Sequence, residues 1–537
     1  MSSMNRREVL KVAGATAASV AFAPAAVFAD SELPIATTTA GKVRGKVEDG
    51  IHVFKGVRYG ADTATTRFQA PRAPQPWSGV VDAFDYGNQT PQFAGGDGGG
   101  LFKSWANRKP DSEDCLFLNV WTPGLRDGRK RPVMVWFHGG GFSSGSGSSH
   151  GYDGARLAKR GDVVVVTVNH RLNVFGHLYL AGLGGGKFAD SGNVGILDLV
   201  LSLQWVRDNI AEFGGDPDTV MIFGESGGGA KVTTLMAMPA ARGLFHRAAV
   251  QSGAWLLFNE PEASTRVAAA VIAELGLTAQ TLDRIQTLPI AAIQQAAGKA
   301  SRAVMSGGWG PVIDGRNLMR HPFTPDAPPE SRHVPLLIGF NRTESTLLVG
   351  PRDPAYFNLT WETLPGKLAP LLPGIDTPGV IAQYRKLHPQ YDASDLFFAA
   401  TTDSRFVRAH VAQVERKAQQ GGAPAYLYML DWDTPVDGGK WRSPHALEIG
   451  FVFDNVAKSA SMAGVGPEQQ RIADLMSTAW ISFARTGDPN NELLPRWPAY
   501  DVKSRPSMVF DLQPTVVDDV RGTERRWFDS MKMGANG

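Results

Sequence analysis

Short, nearly continuous runs of apolar residues recur along the chain and predict the buried strands of a parallel sheet. The runs are rich in valine, isoleucine and leucine, and polar or glycine-rich segments separate them. A strand that is covered on both faces shows this pattern, whereas a strand with one wet face alternates apolar and polar residues. The runs occupy residues 133–137, 163–168, 220–223, 248–250, 335–338 and 425–430.

The segment between the second and third runs has helical periodicity instead. Apolar residues recur there at helical spacing from Ile196 to Ile210, and the glycine and proline residues of 214–217 end the pattern. Strand, helix and strand in succession predict a right-handed βαβ unit, so the fold class is α/β. Residues 260–299 and 353–419 also have mostly helical patterns, and we expect them to form insertions over the sheet.

The composition is that of a globular protein. Of the 537 residues, 43% are hydrophobic and 20% are charged, which is enough apolar material for a large core. Large α/β enzymes often grow by insertion around one sheet, so we expect a single domain over residues 30–537. The formal net charge is only +2, and we expect no nucleic-acid partner because such binding needs clustered Lys and Arg on one face.

Residues 1–29 have the features of an export signal. A twin arginine at 6–7 precedes an alanine-rich, weakly apolar stretch that ends in a small-residue cleavage site. Lys11 and Pro24 leave fewer than the ~20 consecutive apolar residues that a spanning helix needs. We therefore expect a twin-arginine signal that is cleaved after Ala29, a periplasmic or secreted protein, and no stable membrane anchor.

Cys115 is the only cysteine of the chain, which excludes an intrachain disulfide. The residues that follow it, 116–118, are apolar, and no basic group or helix terminus near it in the sequence would lower its pKa. We expect a buried small hydrophobic side chain rather than a catalytic thiol.

The residues after the third apolar run have the pattern of a catalytic serine. Gly-Glu-Ser-Gly-Gly at 224–228 directly follows a strand-like run and precedes a helical pattern, which is typical of a nucleophile elbow with Ser226 at its tip. Glycines are needed there because a sharp turn and a closely approaching substrate leave no room for Cβ atoms. The first N–H groups of the helix would favour negative charge beside the serine.

A glycine loop directly after the first apolar run predicts an oxyanion hole. His-Gly-Gly-Gly at 138–141 matches the loop that supplies backbone N–H donors to a tetrahedral oxygen. We expect the donors to be the N–H groups of Gly140, Gly141 and Gly227.

The acid and the base of a triad should follow the serine in that order along the chain. Glu344 lies just past the 335–338 run and is the predicted acid, with Asp314 as a rival. The histidines after that point are His388, His410 and His445. The first two have surface or helix surroundings, whereas His445 comes by a polar loop after the 425–430 run and is the predicted base.

Longer motifs around these residues resemble those of type B carboxylesterases, the family that includes bacterial p-nitrobenzyl esterases and animal cholinesterases. Residues 213–228 match the long serine signature of that family, and 113–120 match its second signature. Shorter matches extend over nearly the whole mature chain, at 54–59, 169–172, 251–253, 311–315 and 497–500.

The resemblance implies an α/β-hydrolase fold with a large, mostly parallel sheet, flanking helices and helical insertions over the active site. It implies that Ser226, Glu344 and His445 form a triad that hydrolyses small-molecule carboxylic esters through an acyl-enzyme, without metal or cofactor. An amidase or carbamate hydrolase with the same triad is the alternative within enzymes. A cholinesterase-like binding protein is the alternative outside them, although such proteins lack triad residues.

The resemblance also implies substrate contacts. Trp105 aligns with the tryptophan that holds a quaternary ammonium in cholinesterases, and Glu225 is shared with them. We expect Trp105 to form a plain hydrophobic wall, with a site for a cationic alcohol group as the alternative. Trp255 and Trp309 take positions that line the acyl side of the gorge in relatives, with ordinary core packing as the alternative. Ser252 would bond near the triad histidine.

Two positions depart from the family pattern. The partner that Cys115 has in relatives is replaced by Thr90, so the first disulfide of the family is expected to be missing. Gly227 replaces the alanine that most members carry after the serine. From the sequence, we expect this change to keep the N–H donor and to leave a slightly roomier oxyanion hole.

Overall fold

A large mixed β-sheet forms the centre of the fold. The computed structural model describes residues 33–93, 100–305 and 308–531. The predicted export signal at 1–29 and the glycine-rich run at 95–99 lie outside the described residues.

The described residues form fourteen strands. They are β1 Ile35–Thr37, β2 Lys42–Arg44, β3 Lys46–Glu48, β4 Ile51–Arg58, β5 Val80–Asp82, β6 Phe117–Thr122, β7 Arg131–Phe137, β8 Val164–Val168, β9 Gly215–Glu225, β10 Arg247–Gln251, β11 Leu336–Asn341, β12 Ala425–Leu430, β13 Pro506–Phe510 and β14 Thr515–Asp518.

The α-helices surround the sheet, and short 3₁₀ turns connect many of them. They are α1 Ala155–Gly161, α2 Asn173–His177, α3 Ala181–Gly184, α4 Val194–Asn209, α5 Gly227–Leu235, α6 Pro261–Glu274, α7 Ile290–Val304, α8 Ser345–Leu348, α9 Leu364–Leu368, α10 Thr377–Leu387, α11 Ala393–Thr402, α12 Arg408–Gln419, α13 Leu447–Val452, α14 Ala460–Ala463, α15 Pro467–Thr486 and α16 Gly522–Ser530. A π-helical turn, Asp403–Val407, joins α11 and α12.

The main sheet has eleven strands of the described residues in the order β14-β13-β12-β11-β10-β9-β7-β8-β6-β4-β3. The seven central strands of this order, β13-β12-β11-β10-β9-β7-β8, are parallel to one another. Antiparallel strands extend the sheet at both edges, β14 at one and β6, β4 and β3 at the other. Strands β1, β2 and β5 form a separate small sheet. The α/β class is therefore confirmed. Strand β8, helix α4 and strand β9 form the predicted βαβ unit, and β7 lies between its two parallel strands.

Both faces of the sheet are covered, which explains why the apolar runs are continuous. In β7, Val133, Val135 and Phe137 contribute to one core cluster, and Met134 and Trp136 contribute to another. Side chains of α4 and α5 belong to the first cluster and those of α15 to the second, so neither face of the strand meets water.

The two segments with helical patterns are indeed mostly helical and have cores of their own. Residues 260–299 contain α6 and most of α7, which pack with α2 around Phe175. Residues 353–419 contain α9 to α12. Of these, α9, α10 and α11 pack with α16 around Phe397, whereas Val411 and Val414 of α12 belong to the core of the sheet. Among the described residues, no helix combines the length and the apolar character needed to cross a membrane.

Cys115 is fully buried and unpaired, as the sequence predicts. Burial raises the pKa of its thiol, so the reactive thiolate is suppressed. We expect the folded protein not to react with a thiol reagent such as DTNB at mildly alkaline pH, and the unfolded chain to release one equivalent. Cys115→Ala is the blank. Stoichiometric labelling of the folded protein would contradict the burial.

Candidate active site

Ser226 lies on a sharp turn between β9 and α5. Its backbone angles are φ 55° and ψ −123°, a strained conformation for a residue with a side chain. The turn is fixed from both sides, because the Ser226 N–H donates to Gln251 O at 2.8 Å and its carbonyl accepts from Ala230 N at 3.0 Å. The elbow predicted from the glycine pattern is therefore present.

The glycines after Ser226 allow α5 to lie directly against the end of β7. A Cβ atom at Gly228 would come within 2.0 Å of Phe137 O, and one at Gly227 would come within 2.2 Å of Gly141 O. Relief of either clash would require backbone to move. The expectation of a roomier oxyanion hole at Gly227 is therefore wrong, because the glycine loop fills the space that an alanine would need.

Glu344 and His445 meet at the carboxyl end of the sheet. His445 Nδ1 lies 2.5 Å from Glu344 Oε2, and both side chains are buried. Glu344 follows β11, and its other oxygen accepts from Ser252 Oγ at 2.6 Å and from Asn341 N at 2.8 Å. This carboxylate accepts three hydrogen bonds, which compensates for its removal from water. Ser252 therefore contacts the acid rather than the histidine itself.

The rival acid and the two other histidines have separate roles. The Asp314 carboxylate accepts backbone N–H groups of a turn, including that of Leu318 at 3.0 Å, and contacts no histidine among the described residues. His388 contacts Glu524 at 2.7 Å. His410 lies on α12, as its helical pattern predicts, and is buried, where it accepts from Ala254 N at 3.2 Å.

Glu225 places a second carboxylate against the imidazole. Its Oε1 lies 3.0 Å from His445 Nε2 but lacks the alignment of a hydrogen bond. Burial lowers the pKa of His445, but the charges of Glu225 and Glu344 outweigh it and raise the pKa well above the ordinary value. Among the described residues no hydrogen bond joins Ser226 Oγ to His445, so in this structure the free imidazole nitrogen faces Glu225.

A third buried carboxylate, Glu448, is a residue that the sequence interpretation missed. It accepts from Asn341 Nδ2 at 2.6 Å and from Gln251 Nε2 at 3.4 Å. Gln251 also accepts from the Ser226 N–H, and the Asn341 N–H donates to the Glu344 carboxylate. Through these two residues Glu448 is linked to both the serine and the acid. Burial raises its pKa to about 8, and the charges of nearby carboxylates add to this. A signal was available, because this glutamate interrupts the apolar segment of α13.

The glycine loop after β7 presents backbone donors beside Ser226. In the described residues, the N–H groups of Gly140, Gly141 and Gly227 donate to no protein acceptor. The carbonyls of the same peptide groups are all bonded: Gly139 O accepts from His138 Nδ1 at 2.8 Å and Gly140 O from backbone N–H groups. Fixed peptides with free N–H groups are what an oxyanion hole requires.

The predicted tryptophans lie in three different surroundings. Trp105 is 3% exposed, and its indole N–H donates to Ser459 Oγ at 3.0 Å. Trp255 is 37% exposed and contacts the Phe142 ring at a centroid distance of 6.3 Å. Trp309 lines a small cavity of about 60 Å³ with His177. Trp255 thus adjoins the glycine loop, while the substrate roles of all three tryptophans remain predictions.

In the described part of the chain, no group of three or more His, Cys, Asp or Glu side chains is arranged to hold a metal ion. The site has instead the parts for proton transfer and for stabilisation of a negatively charged oxygen: an imidazole beside carboxylates, a serine on a turn, and free backbone donors.

Comparison with known proteins gives concordant results. A model described as the carboxylesterase family matches residues 32–527. The chain is similar to the para-nitrobenzyl esterase of Bacillus subtilis (strain 168), with 36% identity over 499 residues that cover 92% of this chain and 98% of the relative. It is 32% identical over 493 residues to the phenmedipham hydrolase of Pseudarthrobacter oxydans, with 87% and 93% covered.

Among solved structures, the carboxylesterase EST55 of Geobacillus stearothermophilus at pH 6.2 is similar, with a TM-score of 0.79 and 37% sequence identity. The alignment covers 92% of this chain and 99% of that one. The α/β-hydrolase fold implied by the sequence motifs is therefore confirmed.

The contact between Glu225 and His445 gives a testable titration. Glu225→Gln removes one of the two charges that stabilise the imidazolium, so we expect the pKa of His445 to fall. The measurement is an NMR titration of the ¹³Cε1-labelled histidines, assigned by comparison with His445→Gln.

The matched control is Glu524→Gln, because that glutamate contacts a different histidine, His388. It should leave the His445 titration unchanged. An unchanged or higher pKa of His445 in Glu225→Gln would contradict the electrostatic account.

Proposed function

Because the chain belongs to the carboxylesterase family and is a carboxylic-ester hydrolase, we propose that it cleaves small-molecule esters through an acyl-enzyme on Ser226. In this proposal His445 is the general base and acid, and Glu344 orients its imidazole. Gly140, Gly141 and Gly227 donate to the oxyanion. No metal or cofactor takes part.

The observation that carries the proposal is the short contact between His445 Nδ1 and a fully buried Glu344. A carboxylate with three hydrogen bonds at this place keeps the proton on Nδ1 and leaves Nε2 as the basic nitrogen. Since Glu225 directly precedes Ser226 and contacts Nε2, that nitrogen lies beside the elbow. A small movement of the imidazole from Glu225 towards Ser226 Oγ forms the reactive pair, as occurs when substrate-free sites tighten around a substrate.

The reaction then runs in two halves. Ser226 Oγ bonds to the ester carbonyl carbon while its proton moves to His445 Nε2, and the carbonyl oxygen becomes an anion. When this intermediate collapses, the bond to the alcohol oxygen breaks and the alcohol takes the proton from His445. Water attacks the acyl-enzyme in the same way, gives a proton to His445, and releases the acid and Ser226.

The free N–H groups of the glycine loop and of α5 support the oxyanion assignment. Across the described part of the chain these N–H groups have no protein acceptor, and hydrogen bonds fix the carbonyl of each of the same peptide groups. The donors therefore need not reorganise when the negative charge forms. Loss of one such donor typically costs about 10²–10³ in rate.

We place the acyl part of the substrate near Phe142, Trp255 and Trp309. Phe142 follows the glycine loop directly and meets Trp255 edge to face, so an apolar acyl chain at the ester carbon has aromatic surface beside it. Glu225 and Trp105 are the proposed neighbours of the alcohol group. The Trp105 ring is held by Ser459 and offers a fixed wall rather than a mobile side chain.

We also propose that the protein is exported through its twin-arginine signal. The support is the sequence of residues 1–29, in which an arginine pair, a weakly apolar stretch and a small-residue cleavage site follow in order.

Ser226→Ala tests the nucleophile. We expect turnover of a p-nitrophenyl ester to fall by roughly 10⁴-fold or more, because the remaining donors and base cannot form the acyl-enzyme. A fluorophosphonate should label wild-type protein once, on Ser226, and should not label the variant.

The control is Ser530→Ala, which changes an exposed serine on α16 and should keep both properties. Wild-type turnover by Ser226→Ala would contradict the proposal, as would a label on a different serine.

The export proposal is tested by changing Arg6 and Arg7 together to lysine in a bacterial host that has a twin-arginine pathway. We expect the wild-type protein in the exported fraction with Asp30 at its N-terminus, and the twin-lysine variant uncleaved in the cytoplasm. Arg129→Lys, an exposed change in the folded domain, is the control. Equal export of the twin-lysine variant would contradict the proposal.

A further inference from the structure

Lys231 is a buried charged residue that the reaction scheme above does not use. It is the charged residue of α5, whose other residues are glycine, alanine, valine, threonine and leucine, and its side chain is 0% exposed. A buried ammonium is unfavourable unless its surroundings compensate it. The position of Lys231, in the second turn of the helix that starts directly after Ser226, therefore calls for a reason.

The Lys231 side chain runs back along α5 to the glycine loop. Its Nζ donates to His138 O at 2.8 Å and lies 5.7 Å from the centroid of the Phe142 ring. Both partners flank the three glycines of the loop. Helical side chains lean towards the N-terminus of their helix, which directs this lysine to the end that carries the serine.

Within the part of the chain that the structure describes, Glu225 is the anion whose charge acts on Lys231. Burial lowers the pKa of Lys231 to about 7, and the charge of Glu225 partly opposes this. His138 and His170 are also buried in this region. Burial is the main cause that lowers their pKa values, and the charge of Lys231 lowers them further. The hydrogen bond to His138 O does not depend on the charge, because an amine and an ammonium both donate N–H.

We propose that Lys231 is a positioning residue that holds the two halves of the oxyanion hole together. One half, Gly140 and Gly141, lies on the loop after β7, and the other half, Gly227, lies at the start of α5. The Lys231 hydrogen bond joins that loop to that helix. This inference rests on the proposed function, because it holds only if these three N–H groups are the oxyanion donors.

The close approach at Gly227 is an independent observation in favour of this role. A Cβ atom there would lie 2.2 Å from Gly141 O and 2.4 Å from Gly141 Cα, so the loop touches the helix backbone. Lys231 provides a polar bond across the same contact. Catalytic donors must be held within about 0.5 Å of the productive geometry, and a glycine loop alone has too much conformational freedom for that.

A matched control exists in Lys417 of α12. It is also almost fully buried, and its Nζ donates to Ser331 O at 2.8 Å and to Arg332 O at 3.0 Å. These carbonyls do not belong to the glycine loop. Lys231→Met and Lys417→Met therefore remove the same chemical group from two buried sites, of which one adjoins the oxyanion donors.

The experiment measures turnover per active chain, counted by complete fluorophosphonate labelling so that unfolded chains are excluded. We expect Lys231→Met to lower kcat by roughly 10- to 100-fold, because misplaced donors lose part of their effect. Binding of a trifluoromethyl ketone, which forms a tetrahedral adduct, should weaken by the same factor, and inhibition by the product acid should change less than about 2-fold. Lys417→Met should keep kcat per labelled chain.

A second measurement separates positioning from simple stability. Each methionine removes an N–H donor from a buried carbonyl, so Lys231→Met and Lys417→Met should both lower Tm, whereas only Lys231→Met should also lower kcat per labelled chain. In a Gly227→Ala background the loop is already displaced, and the additional effect of Lys231→Met on kcat should shrink.

Equal kcat per labelled chain and equal ketone affinity in Lys231→Met and wild type would overturn the inference while Ser226→Ala remains inactive. Fully additive effects of Gly227→Ala and Lys231→Met would overturn it too. An active Ser226→Ala would instead reject the proposed function itself, so the two failures are distinguishable.

Discussion

The hydrogen bond between His445 and the buried Glu344 is the interaction on which the rest of the site depends. A carboxylate at 0% exposure persists only if its oxygens are bonded, and Ser252, Asn341 and the imidazole supply those bonds. The bonds require the ends of β10 and β11 to be neighbours and the loop after β12 to return over them, which is the strand order of the parallel part of the sheet. The sheet is thus the frame that brings distant parts of the chain to one imidazole.

Charge in this dry region is organised around the same imidazole. Glu225 and Glu448 are buried with Glu344, and burial raises the pKa of both Glu225 and Glu448. The charges of Glu225 and Glu344 stabilise the imidazolium, which is the charged state that a general base reaches during the reaction. The groups that favour negative charge beside the serine are backbone N–H groups and the helix N-terminus, and Lys231 bonds the glycine loop that carries two of these donors.

The sequence predicts the parts of this arrangement whose chemistry requires a local pattern. The elbow at Ser226, the glycine loop and the buried parallel strands have such patterns. The sequence leaves Asp314 as a rival to Glu344 for the acid, and the structure removes that rival because the Asp314 carboxylate accepts the N–H groups of a turn. Strands β1, β2, β3 and β5 have three residues each and are partly exposed, so no apolar run reveals them, and polar residues interrupt the longer β4. The sequence marks Glu448 only as a charge within an apolar segment. The partners of Lys231 and Glu448 come from distant strands and loops, and a charged residue in isolation is expected to face solvent, so neither is predicted as a buried group.

The rate at which a fluorophosphonate modifies Ser226 in Glu344→Gln tests the central claim most directly, because the reagent needs the activated serine but no leaving alcohol or deacylation. The amide has the volume of the carboxylate but neither its charge nor its control of the imidazole tautomer. The account predicts a fall of roughly 10³- to 10⁴-fold in the second-order rate constant, with the folded structure retained. A rate constant equal to that of the wild-type protein would contradict it.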